Sequence, residues 1–197
     1  DWIVGSTEAN YLEGGLGNDW LRGGAGNDTL VGGLDTDTAD FSDATSSDNT
    51  IGLTITLNGD AQGTATGSFG TDTLYSIERV LGSSFKDSIT FTDANANWVD
   101  GGAGNDTIKT GAGNDTVIYD AADSIVDGEA GTDTLVVRDA TFDLTAAGTG
   151  AGTKLKSFEA IDLRGHASTQ ITLSSASLGA LAGTALTVYA DQSDVVN

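Results

Sequence analysis

GGLGNDWLRGGAGNDTLV (residues 14–31) and GGAGNDTIK (residues 101–109) hold three copies of one nonapeptide, G-G-x-G-x-D-x-U-x, in which U is a large apolar residue. Glycine lets the backbone enter conformations closed to residues with a Cβ, so the carbonyl oxygens of the first six residues can turn inward around a cation. The aspartate at position six adds a formal charge. A hard cation that takes about six to eight oxygen ligands is satisfied by such a mixture of carbonyls and carboxylates. The last three residues form a short strand whose middle side chain, at position eight, faces inward.

Stepping by nine from Asp19 places Asp1, Asn10, Asp19, Asp28 and Asp37 at position six, and Ile3, Leu12, Leu21, Leu30 and Ala39 at position eight. Stacked coils bury such a row of apolar residues together. GSTEANYLE (5–13) is a degraded copy with Asn10 for aspartate, so a weak or empty site is expected there, and Asp35 replaces the last glycine of the loop that opens at residue 32. From residue 40 to 66 the period disappears; LTITL (53–57) followed by Asn58-Gly59-Asp60 reads as a strand and a tight turn. Register returns at GSFGTDTLY (67–75), slips through SIERVL to GSSFKDSIT (82–90), and settles again at Asn97, Asp106, Asp115, Ser124 and Asp133 over Val99, Ile108, Val117, Val126 and Leu135.

These tandem motifs, together with the connecting passage DTLYSIERVLGSSFKDSIT (72–90), resemble the RTX calcium-binding repeats of secreted bacterial proteins. The resemblance covers roughly residues 1 to 136 and implies an all-β fold, a right-handed parallel β-roll (β-solenoid) in which two nonapeptides make one turn and calcium lies between loops two repeats apart. Carried onto this chain, it pairs Asp1 with Asp19, Asp19 with Asp37, and Asp115 with Asp133, with Asn10–Asp28, Asn97–Asp115 and Asp87–Asp106 as imperfect versions. Asp72 belongs to the same series. The glycines lending carbonyls are then Gly15, Gly17, Gly24, Gly26, Gly33, Gly102, Gly104, Gly111 and Gly113. Roughly five Ca2+ ions or more are implied, and since each offsets two charges, about half of the net −21 would be neutralised.

The expected divisions are a first repeat block at 1–41, a strand-containing connection at 42–66, a second block at 67–136, and a non-repetitive β-rich cap or adhesin-like extension at 137–197. In the last, LKSFEAIDLRG, TQITLSSASLGALAG and TALTVYADQSDVVN give strand-like segments, with a possible helical turn at 175–181. The chain opens in mid-repeat without a methionine, so it reads as an excerpt of a longer protein whose neighbouring domains are partners.

Twenty-nine acidic against eight basic residues repel nucleic acid and anionic membranes, and no apolar run is long enough to insert in a membrane. Without cysteine there is neither a disulfide nor a thiolate metal site. His166 is the one histidine, so H-E-x-x-H zinc chemistry is impossible, and no G-x-S-x-G elbow accompanies it. The nine-residue spacing of the carboxylates argues against an acid–base pair, and Glu159 and Asp162 read as solvated or turn-capping. Trp2, Trp20 and Trp98 stand at outward position seven, where they can stack on sugars or pack on flanking segments; Thr29, Thr107, Thr116 and Thr134 share that position without forming a flat ice-binding face.

The expected function is a non-enzymatic, calcium-folded structural or adhesive module of a large protein, secreted by a type I system to the extracellular space or bacterial cell surface. Its partners would be calcium ions and a cell-surface or matrix ligand, or like subunits. The alternatives are a secretion-directing tail of a protease, lipase or epimerase, and a surface-layer or filament subunit.

Overall fold

Alternating inward residues build the sheets. In a computed structural model, which describes residues 1–45, 51–138, 141–143, 154–164, 170–172, 186–192 and 194–196 (51, 141, 143 and 195 by backbone alone), every x-U-x triplet of the repeats lies in a strand. The odd-numbered turns of the pattern form one nine-stranded sheet: β1 (Trp2–Val4), β3 (Trp20–Arg22), β5 (Thr38–Asp40), β9 (Arg79–Leu81), β11 (Trp98–Asp100), β14 (Thr116–Tyr119), β17 (Thr134–Val137), β20 (Ala160–Asp162) and β22 (Thr187–Tyr189), all parallel neighbours in that order. Trp2 pairs with Trp20 and Trp98 with Thr116, eighteen residues apart, so two nonapeptides make one rung.

The second sheet takes the other triplets: β2 (Tyr11–Leu16), β4 (Thr29–Leu34), β8 (Gly70–Tyr75), β10 (Lys86–Phe91), β12 (Thr107–Lys109), β15 (Ile125–Asp127) and β19 (Leu155–Lys156). Between β8 and β10 it admits β7 (Ala61–Gly67) and β6 (Ile51–Asn58). Here β6 runs parallel to β10 but antiparallel to β7, which is antiparallel to β8, so the sequence that broke the period is a meander inserted into one sheet. The other sheet passes from β5 straight to β9 without losing register. The glycine-rich half expected at 67–72 follows the repeat only in part: Gly67 opposes Gly70 across a hairpin with Ser68 and Phe69 at its tip, while Gly70, Thr71 and Asp72 stack on Gly26, Asn27 and Asp28. Phe69 packs on Phe41 at 6.0 Å.

Leu21, Leu30, Leu74, Val80, Ile89, Val99, Ile108, Val117, Val126, Leu135 and Ile161 are fully buried between the sheets in one cluster. Each such side chain contributes about 1.5–3 kcal/mol by leaving water. The fold is an all-β parallel β-roll. Two short loop strands, β13 (Ala112–Gly113) and β16 (Ala130–Gly131), pair in parallel as a small sheet of their own. After Val136 the rungs lengthen rather than stop: Thr134 pairs with Ala160 and Ala160 with Thr187, while β18 (Thr141–Asp143), β21 (Gln170–Thr172) and β23 (Val195–Val196) stack as a separate three-stranded parallel sheet. His166 and the helical turn expected at 175–181 lie outside the described residues.

Candidate metal centre

The loops that precede the strands stack as the strands do. Along the edge before the first sheet, the register places Asp1, Asp19, Asp37, Glu78, Asn97, Asp115, Asp133 and Glu159 one above another; along the other edge stand Asn10, Asp28, Asp72, Asp87 and Asp106. One bond recurs. The backbone N–H at position six donates to the carboxylate of the next rung: Asn10 to Asp28 Oδ1 (2.8 Å), Asp19 to Asp37 (2.8 Å), Asp28 to Asp72 (2.9 Å), Asp87 to Asp106 (2.8 Å), Asn97 to Asp115 (2.7 Å) and Asp115 to Asp133 (2.8 Å). The amino group of Asp1 does the same to Asp19 at 2.5 Å, while the Asp1 side chain itself is exposed.

That bond uses one oxygen of each carboxylate. The other, Oδ2 of Asp19, Asp28, Asp37, Asp72, Asp106, Asp115 and Asp133, is buried with no hydrogen-bond partner. A buried, unpaired carboxylate oxygen is costly unless a positive charge meets it. Burial accordingly pushes Asp72 and Asp106 up to about 7 and Asp133 to about 6; it also raises Asp37 and Asp115. Backbone donors pull these groups back down, and the neighbouring carboxylate adds to the rise at Asp72, with Asp28, and at Asp133, with Asp115. Among the described residues no three acidic or imidazole side chains converge on one point. A cation here would therefore be held by one carboxylate from each of two rungs and otherwise by carbonyl oxygens, a hard all-oxygen set that fits calcium.

The carbonyls are in position to turn because the glycines are where they are needed. All nine glycines nominated from the sequence have φ between 85° and 145°. At Gly24 the requirement is double: φ is 89°, and a Cβ would lie 2.2 Å from the Ser6 carbonyl of the rung below. Asp35, which replaces the glycine at position four of its loop, adopts φ 80° and accepts the Gly17 N–H at 3.2 Å.

Four position-six neighbourhoods are instead closed by the protein. Asp87 accepts from Leu53 N (2.6 Å), Ser83 N (2.6 Å) and Ser83 Oγ (2.8 Å), so the inserted strand β6 and a serine occupy the oxygens that elsewhere stand bare. The Asn97 amide nitrogen donates to Asp93 Oδ1 (3.2 Å), the Asn95 carbonyl (3.2 Å) and the Thr110 carbonyl (3.5 Å). Asn10 Oδ1 accepts the Ser6 N–H at 2.5 Å. Ser124, which stands at position six by count, is replaced by Asp123: its two oxygens accept from Asp106 N (3.4 Å) and Asp120 N (3.1 Å).

Sequence reasoning missed Glu78 and Asp123 and read Glu159 only as solvated or turn-capping, because each sits off the nine-residue count. It also left position five blank. There Asn18, Asn27 and Asn114 accept the backbone N–H of Thr36, Thr71 and Thr132 in the next rung at 2.9–3.1 Å, a second ladder legible as the recurring Asn before Asp. Outside the loops, Trp2 and Trp20 stack face to face at 5.2 Å, Trp20 Nε1 donates to Asp40 at 2.8 Å, and Arg79 covers Trp98 at 4.5 Å.

Residues 4–39 and 91–126 match a family model, the RTX calcium-binding nonapeptide repeat (4 copies). These stretches contain the loops of Asp19, Asp28, Asp37, Asp106 and Asp115 and leave out the antiparallel meander between them. No curated protein matches the chain. With its repeats matched to that family and its aspartates stacked in two ladders, the chain carries an RTX calcium-binding region.

Proposed function

We propose that this chain is a calcium-folded structural or adhesive module of a large bacterial protein, exported unfolded by a type I system and folded outside the cell, with no catalytic role of its own. The observation that carries the folding part is the row of seven buried aspartates, each with one oxygen unpaired. Without cations these charges oppose stacking; with them, binding free energy becomes folding free energy. A cytosol poor in calcium then keeps the chain open for export, and lack of proline and cysteine removes slow isomer and disulfide steps. By the same arithmetic Asp19, Asp28, Asp37, Asp72, Asp106, Asp115 and Asp133 are the carboxylate ligands, with carbonyls of the glycine-rich loops as the rest.

The adhesive part rests on the resemblance of the sequence after Val136, LKSFEAIDLRG onward, to segments that follow RTX repeats in surface adhesins. Beads coated with the calcium-loaded chain should bind bacterial or host cell surfaces and be released by chelator. Beads that bind neither surface would leave a structural spacer. A protease, lipase or epimerase domain in the coding frame upstream would instead make this region a secretion-directing tail.

A further inference from the structure

Two corners of the roll replace the six-residue loop by three residues. Ser76-Ile77-Glu78 joins β8 to β9, and Ser157-Phe158-Glu159 joins β19 to β20. They lie far apart in the chain yet share each detail. The serine has positive φ, 50° and 56°. The central side chain is buried in the core. The glutamate and the residue after it both donate their N–H to one carbonyl of the preceding rung: Asp37 at 3.3 and 2.9 Å, Asp133 at 3.1 and 3.0 Å. Glu78 Oε2 accepts the Asp37 N–H at 2.9 Å, and Glu159 Oε2 the Asp133 N–H at 2.8 Å.

Each corner therefore reproduces what a complete loop offers to the rung below it. In a full stack, the position-one carbonyl of the next loop and the rung's own aspartate crowd the first glycine: a Cβ on Gly14 would lie 2.6 Å from the Gly32 carbonyl and 2.4 Å from Asp19 Oδ2. At Gly32 the same two contacts come from the Ser76 carbonyl (2.1 Å) and Asp37 Oδ2 (2.5 Å), and at Gly128 from the Ser157 carbonyl (2.2 Å) and Asp133 Oδ2 (2.6 Å). The left-handed serine turns its carbonyl to the place of the missing glycine's. The glutamate, longer than aspartate by one methylene, spans the distance that a three-residue corner leaves short. Facing both corners, Asp37 Oδ2 and Asp133 Oδ2 are fully buried and unpartnered.

We propose that these Ser-apolar-Glu corners complete the last calcium site of the two loop stacks along the first sheet, with Ser76 and Glu78 closing the site on loop 32–37 and Ser157 and Glu159 closing the site on loop 128–133. The inference rests on the calcium reading above. A site at the end of a stack otherwise has ligands from one rung only; the corner supplies the second carboxylate and a carbonyl without a further glycine-rich loop, so a stack can end on any strand.

The test is to count bound calcium on the full chain by equilibrium dialysis for the wild type, Glu78→Gln, Glu159→Gln and the double variant. Glutamine keeps the length and the oxygen that accepts the Asp37 or Asp133 N–H and removes only the charge. Each single variant should lose about one ion per chain and the double variant about two, while Glu13→Gln, on an exposed strand position, keeps the wild-type count. Gln variants that bind as many ions as the wild type, equally tightly, would overturn the proposal and leave the corners as hydrogen-bonded turns. A wild type that binds no calcium would overturn the calcium reading itself. The corners are separate, so if one variant fails to fold the other decides.

Discussion

Loop 14–19 and loop 82–87 hold the same six repeat positions on opposite edges of the roll and end on aspartates buried alike, yet their chemistry is opposite. Asp19 gives one oxygen to its neighbour and leaves Oδ2 bare, whereas Asp87 has both oxygens met by Leu53 and Ser83. The first needs a cation and the second has been given its donors by the chain. A matching aspartate is thus not in itself a metal ligand. What separates the two is whether another segment, here the inserted β6, has reached the carboxylate first: Gly52 passes so close that a Cβ there would lie 1.9 Å from Asp87 Oδ1.

The largest effect that this contrast predicts is at Asp19. Asp19→Ala removes the one charge shared by two adjacent sites and should lower the stability of the calcium-loaded chain by about 3 kcal/mol and its calcium count by at least one, read by thermal melting and dialysis. Gly24→Ala should cost about 2 kcal/mol, through positive φ and the approach of the Ser6 carbonyl, and a melting temperature equal to wild type would contradict the loop geometry. Asp87→Asn should cost about 1–2 kcal/mol by setting an amide against the Leu53 and Ser83 donors, but leave the calcium count unchanged. A lost ion there would mean that Asp87 is a ligand after all.

Acid should act on the first kind of loop through its carboxylates. Asp72 and Asp106 at about 7, and Asp133 at about 6, hold protons in the folded chain at a pH where the unfolded chain has released them. Their contribution to the calcium-free roll is therefore fully present below about pH 4 and is lost as pH rises through about 7. In chelator, β structure should increase as pH is lowered from 8 to 5, and the calcium affinity of the folded chain should fall over the same range because protons compete with the ion. A chelated chain whose circular dichroism ignores pH would break this link. Smallest of all is Asp43→Ala: its side chain is half exposed and 3.9 Å from Arg22, and its loss should change stability by less than about 0.5 kcal/mol with every ion retained.

Most of the roll was legible in the sequence because the rule is local. Position eight named Leu21, Leu30, Ile108 and Leu135 as core, and position six named the ladder from Asp19 to Asp133, since a period of eighteen per rung puts each on its neighbour. What escaped the count depends on strand pairing. Asp123 supplants Ser124 because a four-residue turn brings it round, Glu78 and Glu159 serve from corners half the usual length, and β7 reverses direction to make a hairpin of a stretch that reads as a loop. The rungs at Ala160 and Thr187 escaped for the same reason: they follow their neighbours at 26 and 27 residues, joined through a separate sheet, and only the pairing of β17 with β20 and of β20 with β22 shows that the stack continues.

The central claim, that cations hold the bare aspartates together, is tested most directly by far-ultraviolet circular dichroism of the whole chain in chelator at neutral pH, followed by titration with calcium. The account predicts a largely unfolded spectrum that converts cooperatively to a β-rich one as calcium is added and reverts on re-chelation. A β-rich spectrum that is the same in chelator and in calcium would contradict it.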